Sequence, residues 1–208
     1  MAGVPELYLR EFFLARRRLV EGLLENPHGV EEQYKLAGPL LAPMVATHGP
    51  AGVNVAPFML SFQVRDDLLG EAVEELRGIR EEYWGRGFEA VARAARFLLD
   101  WIYNLERVDP LVLVSHLMSR GHTYRNVEAT GEAAVGILIP PDRGALELRC
   151  KASIVEDGLL YEYVNLLHDL MHTIPRGEAS HPWYPVLKLE VKEIYDNSYQ
   201  KLGEKIYP

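Results

Sequence analysis

Thr123 follows Gly121 and His122 and precedes a stretch that can be helical as far as Ala129, with Gly131 as its stop. As N-cap of that helix it would bring together a hydroxyl, free backbone N–H groups and the positive end of the helix dipole, the arrangement that receives a phosphate. Arg120 is near enough to neutralise such a group. Ser115 and His122 offer further donors, and the flexibility of Gly121 lets the loop wrap it. Alone, this segment is an ordinary capped helix. A second segment changes its meaning: Gly52-Val53-Asn54-Val55-Ala56-Pro57-Phe58. Pro57 has no N–H and belongs at a strand edge or end, where the backbone beside it can face a flat ring instead of another strand. The polar edge of such a ring is matched by main-chain N–H and C=O groups.

Other chemistry-bearing residues are less specific. His168 and His172 lie four apart on an expected helix, the spacing for one metal ion, but no Glu accompanies His168 in the zincin pattern and no third ligand stands out, so a polar helix face or pocket edge is the plainer reading. His181-Pro182-Trp183-Tyr184-Pro185 has turn chemistry and two aromatics, which reads as a loop that packs onto a core or approaches the open face of such a ring. Arg16, Arg17 and Arg18 form a basic triplet that reads as a solvated helix face, as do Asp66-Asp67 and Glu81-Glu82. No glycine-rich dinucleotide fingerprint, phosphate loop or serine nucleophile elbow occurs.

These residues need elements to position them. Leu7, Phe12, Leu14, Leu19 and Leu23 predict a helix from Pro5 to about Glu25, ended by Asn26-Pro27-His28-Gly29; a short amphipathic stretch follows. After Gly38-Pro39, an extended run from Leu40 to Thr47, a turn at Gly49-Pro50-Ala51-Gly52 and a returning strand from Val53 to Val64 read as a β-hairpin. Asp66 to Glu82 and Phe88 to Leu105 form a helical hairpin broken at Gly85-Arg86-Gly87. Leu111 to Ser115 is a short buried strand. Ala133 to Ile139 and Ala145 to Val155 are two more, joined by a turn at Pro140-Pro141-Asp142-Arg143-Gly144. Leu159 to Ile174 is helical, and Val186 to Tyr195 alternates as a final strand. Several short antiparallel strands with interposed helices imply an α+β fold, mainly antiparallel β, built as a barrel.

The 208 residues fit one domain with elaborations, and 48% hydrophobic with 25% charged residues is the balance of a soluble globular chain. A net charge of −8 argues against a broad nucleic-acid footprint. With Cys150 as the only cysteine no intrachain disulfide can form; no signal-peptide pattern or membrane-spanning stretch is evident, so a cytoplasmic location without membrane partners is the expectation.

Taken together, the Gly52 to Phe58 segment, Asp109-Pro110-Leu111-Val112-Leu113-Val114-Ser115 and the run from His122 to Glu132 resemble the flavin reductase-like FMN-binding split-barrel family. There, a GxxNxAPFS strand, a DPPLVxVS strand and a DTxxNIxxTGEF helix follow in this order. The likeness covers roughly residues 40 to 64 and 109 to 156. It departs from the family pattern at Met59, where Ser is common, at His122, where Asp is common, and in an intervening segment at 65–107. It implies a single flavin reductase-like domain over 1–208, with an N-terminal helical extension (1–37) and a helical insertion (65–107). The implied cofactor is FMN, bound through Asn54, Ala56, Pro57, Phe58, Ser115, Arg120, His122, Thr123 and Asn126. The implied activity is that of an NAD(P)H-dependent oxidoreductase, hydride passing from NADH or NADPH to the flavin and on to an unspecified acceptor, with no dedicated acid or base. It also implies a homodimer with the flavin near the subunit interface, for which Phe58, Trp101 and the helical hairpin are candidate contacts. A non-enzymatic flavin-binding scaffold is the alternative, and an oxidoreductase acting on an organic substrate without a nicotinamide is a third reading.

Overall fold

The computed structural model describes residues 3–25, 38, 40–139, 144–178 and 182–208. The stretches expected at 26–37 and the tip of the turn at 140–143 lie outside them. The first helix, α1, runs unbroken through Glu6–Tyr8, a π-helical turn at Leu9–Leu14 and Ala15–Glu25. The wide turn buries Phe12 and Phe13 side by side. From Phe12 the buried stripe continues at helical spacing through Arg16, Val20 and Leu23. Arg16 is therefore not part of a solvated basic face, as its neighbours in the triplet suggested. It is buried against the rings of Phe12, Phe62 and Tyr103.

Among the described residues, eight strands form a single antiparallel sheet: β1 (Met44–Thr47), β2 (Asn54–Pro57), β3 (Ser61–Val64), β4 (Val108–His116), β5 (Glu132–Ile139), β6 (Gly144–Val155), β7 (Val186–Asp196) and β8 (Glu204–Tyr207). Their order is β2-β1-β5-β6-β7-β4-β3, with β8 added beside β7. The two edge strands of this path, β2 and β3, are consecutive in sequence and joined by Phe58, Met59 and Leu60. Laid flat, six inter-strand steps of about 4.8 Å would hold those edges roughly 29 Å apart. A three-residue link reaches only about 14 Å. The sheet must therefore roll until its edges approach, and since no ladder joins β2 to β3 among the described residues, the result is an open, split barrel with its seam at Phe58–Leu60.

The expected returning strand from Val53 to Val64 is thus two strands on opposite sides of the seam. β2 pairs back onto β1, with Val45 opposite Ala56, whereas β3 pairs with β4. Pro57, lacking an N–H, ends the first ladder. Bulges complete the curvature. β4 slips against β3 around Pro110, which cannot donate to the ladder, and β7 carries an extra residue, Lys192, opposite Arg149 and Cys150. That bulge is why the apolar alternation from Val186 to Val191 changes phase before Ile194. β8 had no expected counterpart.

The helical hairpin is formed by α2 (Leu69–Tyr83) and α3 (Phe88–Phe97, extended by a π-turn at Leu98–Ile102), with Gly85 and Gly87 both at positive φ between them. Trp101 is buried, donating to Glu75 from its indole nitrogen and carrying the Arg107 guanidinium on its ring. It belongs to the hairpin's own packing and offers no surface to a second subunit. α4 (His122–Thr130) lies between β4 and β5, and α5 (Gly158–His172) between β6 and β7, packed on α2. Among the described residues no helix is long and apolar enough to cross a membrane.

Candidate functional site

β2 ends at Pro57 on one lip of the seam. β4 delivers Ser115 and His116 at its C-terminal end on the other, and the loop after β4 leads into α4. A cleft of about 640 Å³ opens where these meet, bounded by Asn54, Ala56, Pro57 and Phe58 from one lip and by Ser115, His122 and Thr123 from the other. The Asn54 side chain donates from Nδ2 to Thr123 Oγ1 at 2.8 Å and ties the two segments across the opening. Because β2 is an edge strand, one row of its backbone groups has no strand partner among the described residues. The N-terminus of α4 faces the same space. Its first helical bond is from Arg125 N to Gly121 O, so the preceding N–H groups lie outside the helical ladder. Gly121, and not Thr123, is the N-cap, and no side chain caps the helix. The Thr123 hydroxyl is spent on Asn54 instead.

Two of the expected residues are not at the cleft. Arg120 turns to Glu156, 2.7 Å away, and lies over the Tyr124 ring. Asn126, on α4, is fully buried. It accepts from Ala51 N at 2.9 Å and donates to Gly52 O at 2.8 Å and to Thr47 Oγ1 at 3.3 Å, so it fastens the β1–β2 turn to the helix. Gly49 has no side chain because Asn126 fills the space: a Cβ there would lie 2.9 Å from Asn126 Oδ1. Asn126 thus holds the turn that leads into β2.

No protein-family model matches this sequence, and no curated protein matches it. Solved structures with a related course of the chain include a Group A Streptococcus HupZ (15% identity, TM-score 0.46, covering 84% of this chain and 96% of that one). An FMN-binding protein from Syntrophomonas wolfei subsp. wolfei compares at 12% identity and TM-score 0.45, covering 89% and 92%. General Stress Protein 26 from Bacillus anthracis compares at 13% and 0.42, covering 93% and 99%. At such identities the site is read from this chain's own residues.

His116 and Arg176 also line the cleft, and nothing in the sequence marked either. His116 follows Ser115 directly, and its ring lies 4.1 Å from that of His168, which in turn lies 4.7 Å from that of His172. Tyr184, from the aromatic loop before β7, sits 5.9 Å from His116. The i, i+4 spacing of the two helical histidines was the available signal, and a pocket edge is what they form. Among the described residues no group of His, Cys, Asp or Glu could hold a metal ion. Arg176 supplies a cationic side chain to the wall, 3.8 Å from Glu178. Cys150 is buried away from the cleft, and burial pushes its thiol up to about 12, which leaves no thiolate nucleophile at neutral pH.

Proposed function

We propose that the seam cleft binds a flavin, FMN, and that the protein is a flavin-dependent oxidoreductase of the NAD(P)H-consuming type. The observation that carries this reading is the Asn54–Thr123 bond. It brings an edge strand with unspent backbone groups and a helix N-terminus to the same cleft, the two features a flat heteroaromatic ring and an anionic tail require. The fit extends to size, since about 640 Å³ lies within the usual range of roughly 300–1,000 Å³ for cofactor-sized ligands. Arg176 lines the cleft together with Glu178, and in this reading its guanidinium supplies the charge expected of Arg120.

In this reading the backbone of Asn54 to Phe58 meets the polar edge of the ring, and Ser119, Gly121 and the first N–H groups of α4 receive the phosphate. FMN would supply the hydride acceptance and donation, and the protein's part is binding, orientation and exclusion of water. Tyr184 and His116 wall the cleft, where a nicotinamide or another planar substrate would approach. The test is direct. Purified protein reconstituted with FMN should bind it stoichiometrically, gain thermal stability and bleach on addition of NADH or NADPH; a protein whose melting temperature FMN leaves unmoved is not a flavoprotein.

We also propose that two copies associate through the outer face of β2, β1 and β5. Ala46, Val55 and Ala134 lie in one cross-strand row and Met44, Pro57 and Gly136 in the next, with Leu138 beyond. Within these three strands the two rows carry no charge before they reach Arg149 and Glu147 of β6, and an apolar strip of this kind beside the cleft is a surface a second copy can cover.

A further inference from the structure

Behind the cleft lies a second cavity of about 110 Å³, with hydrocarbon walls from α1, α3 and α5 that include Leu19, Leu23, Leu98, Leu167 and Met171. Among the described residues Arg16, which is 5% exposed, is the one arginine or lysine in its wall. The guanidinium donates from Nη2 to Leu60 O and stands over three aromatic rings, but among the described residues Nε and Nη1 have no hydrogen-bond partner. Leu60 and Tyr103, which the guanidinium touches, are themselves walls of this cavity. A buried cation with unspent donors is costly, and ring faces offset the charge only in part. The missing complement is an anion with two acceptor oxygens.

We propose that the inner cavity binds a small apolar monocarboxylate, with its carboxylate on Arg16 and its hydrocarbon among the leucines. A planar guanidinium matches a carboxylate in shape as well as charge. The volume limits what fits inside: since a cavity of roughly 150 Å³ admits benzene, this one of about 110 Å³ holds the carboxylate and the first carbons, and the rest of an aliphatic chain of about four to six carbons extends toward the cleft. Met59, Ser115, His116, His168 and His172 wall both this cavity and the cleft. The far end of the bound acid therefore reaches the histidine cluster, and, resting on the flavin reading above, lies beside the ring as substrate or effector. Occupancy itself does not depend on that reading.

The experiment is calorimetric titration of flavin-free protein with sodium pentanoate, pentanamide and 1-pentanol. Pentanoate should bind about tenfold or more tightly than its isosteric amide, because only the acid pairs with a buried cation. Arg16→Met should abolish this preference, and Leu167→Trp should remove binding of all three by filling the cavity. Equal affinity for pentanoate and pentanamide, no binding of pentanoate, or binding that survives Leu167→Trp would each overturn the proposal. If Arg16→Met does not fold, the acid-against-amide contrast and Leu167→Trp still decide. Pentanoate binding by a protein that ignores FMN would uphold this inference and sink the flavin reading; the reverse result would do the opposite.

Discussion

Asn54 and Thr123, 69 positions apart in sequence, share a 2.8 Å hydrogen bond that spans the mouth of the seam cleft. The donor comes from an edge strand and the acceptor from the second residue of a helix, so the bond sets the spacing between the surface offered to a ring and the one offered to an anion. Thr123→Val keeps the shape and removes the acceptor, leaving the Asn54 amide to find another partner. We expect a loss of about 1 kcal/mol in urea unfolding and a fall of about tenfold in FMN affinity by fluorescence titration. An unchanged FMN affinity would detach this bond from the site.

Asn126 has a structural load that a ligand-binding role would not give it. It is completely buried and makes three hydrogen bonds to the β1–β2 segment. Asn126→Leu should cost about 1–3 kcal/mol, because the buried Thr47 hydroxyl and the part-buried backbone groups of the 51–52 turn lose their partner. Gly49→Ala should be destabilising through the same contact, and the two effects should not add, since both disturb one interface. Single and double variants measured by chemical denaturation would show this.

Arg176 lines the cleft and Arg120 does not. Arg120 holds an exposed pair with Glu156, so Arg120→Ala should change stability by less than about 1 kcal/mol and FMN affinity little. Arg176→Ala should weaken FMN more than Arg120→Ala does, with a difference that shrinks as salt rises. Titrations at low and high ionic strength would separate the two.

Burial raises the Cys150 thiol from its ordinary value of 9.0 to about 12. The folded state thus favours the protonated form. Its contribution to stability is complete below about pH 9 and is lost as pH rises from there toward 12. Cys150→Ala should flatten the alkaline fall in stability over that window. At pH 8 the native thiol should react with a thiol reagent only as fast as the molecule opens, which timed labelling would reveal.

The outer face of β2, β1 and β5 gives a prediction about assembly. Val55→Asp with Leu138→Asp places charge on two exposed apolar positions without touching the core. If this face joins two copies, light scattering should show a shift from dimer to monomer with circular dichroism unchanged. A wild type that is already monomeric would refute the pairing.

Period and punctuation in the sequence were enough to place α1, the helical hairpin around Gly85-Arg86-Gly87, the Gly131 stop of α4 and the alternating strands, because each is set by residues near one another in the chain. They also marked Asn54 to Phe58 and Ser115 to Thr123 as the segments with chemistry to do. Tertiary structure alone decided what the pieces became. The single strand expected from Val53 to Val64 divides at Phe58–Leu60 because a rolled sheet must bring its edges together, and that division makes the cleft. Arg16 left its basic neighbours for the core once a π-turn set the phase of α1 against the rings of Phe62 and Tyr103. Arg120 stands near Thr123 in the chain, and Asn126 belongs to the motif that carries the family resemblance. Their partners, Glu156 and the turn at 51–52, are remote in sequence, and long-range partners of that kind are fixed by packing rather than by local pattern.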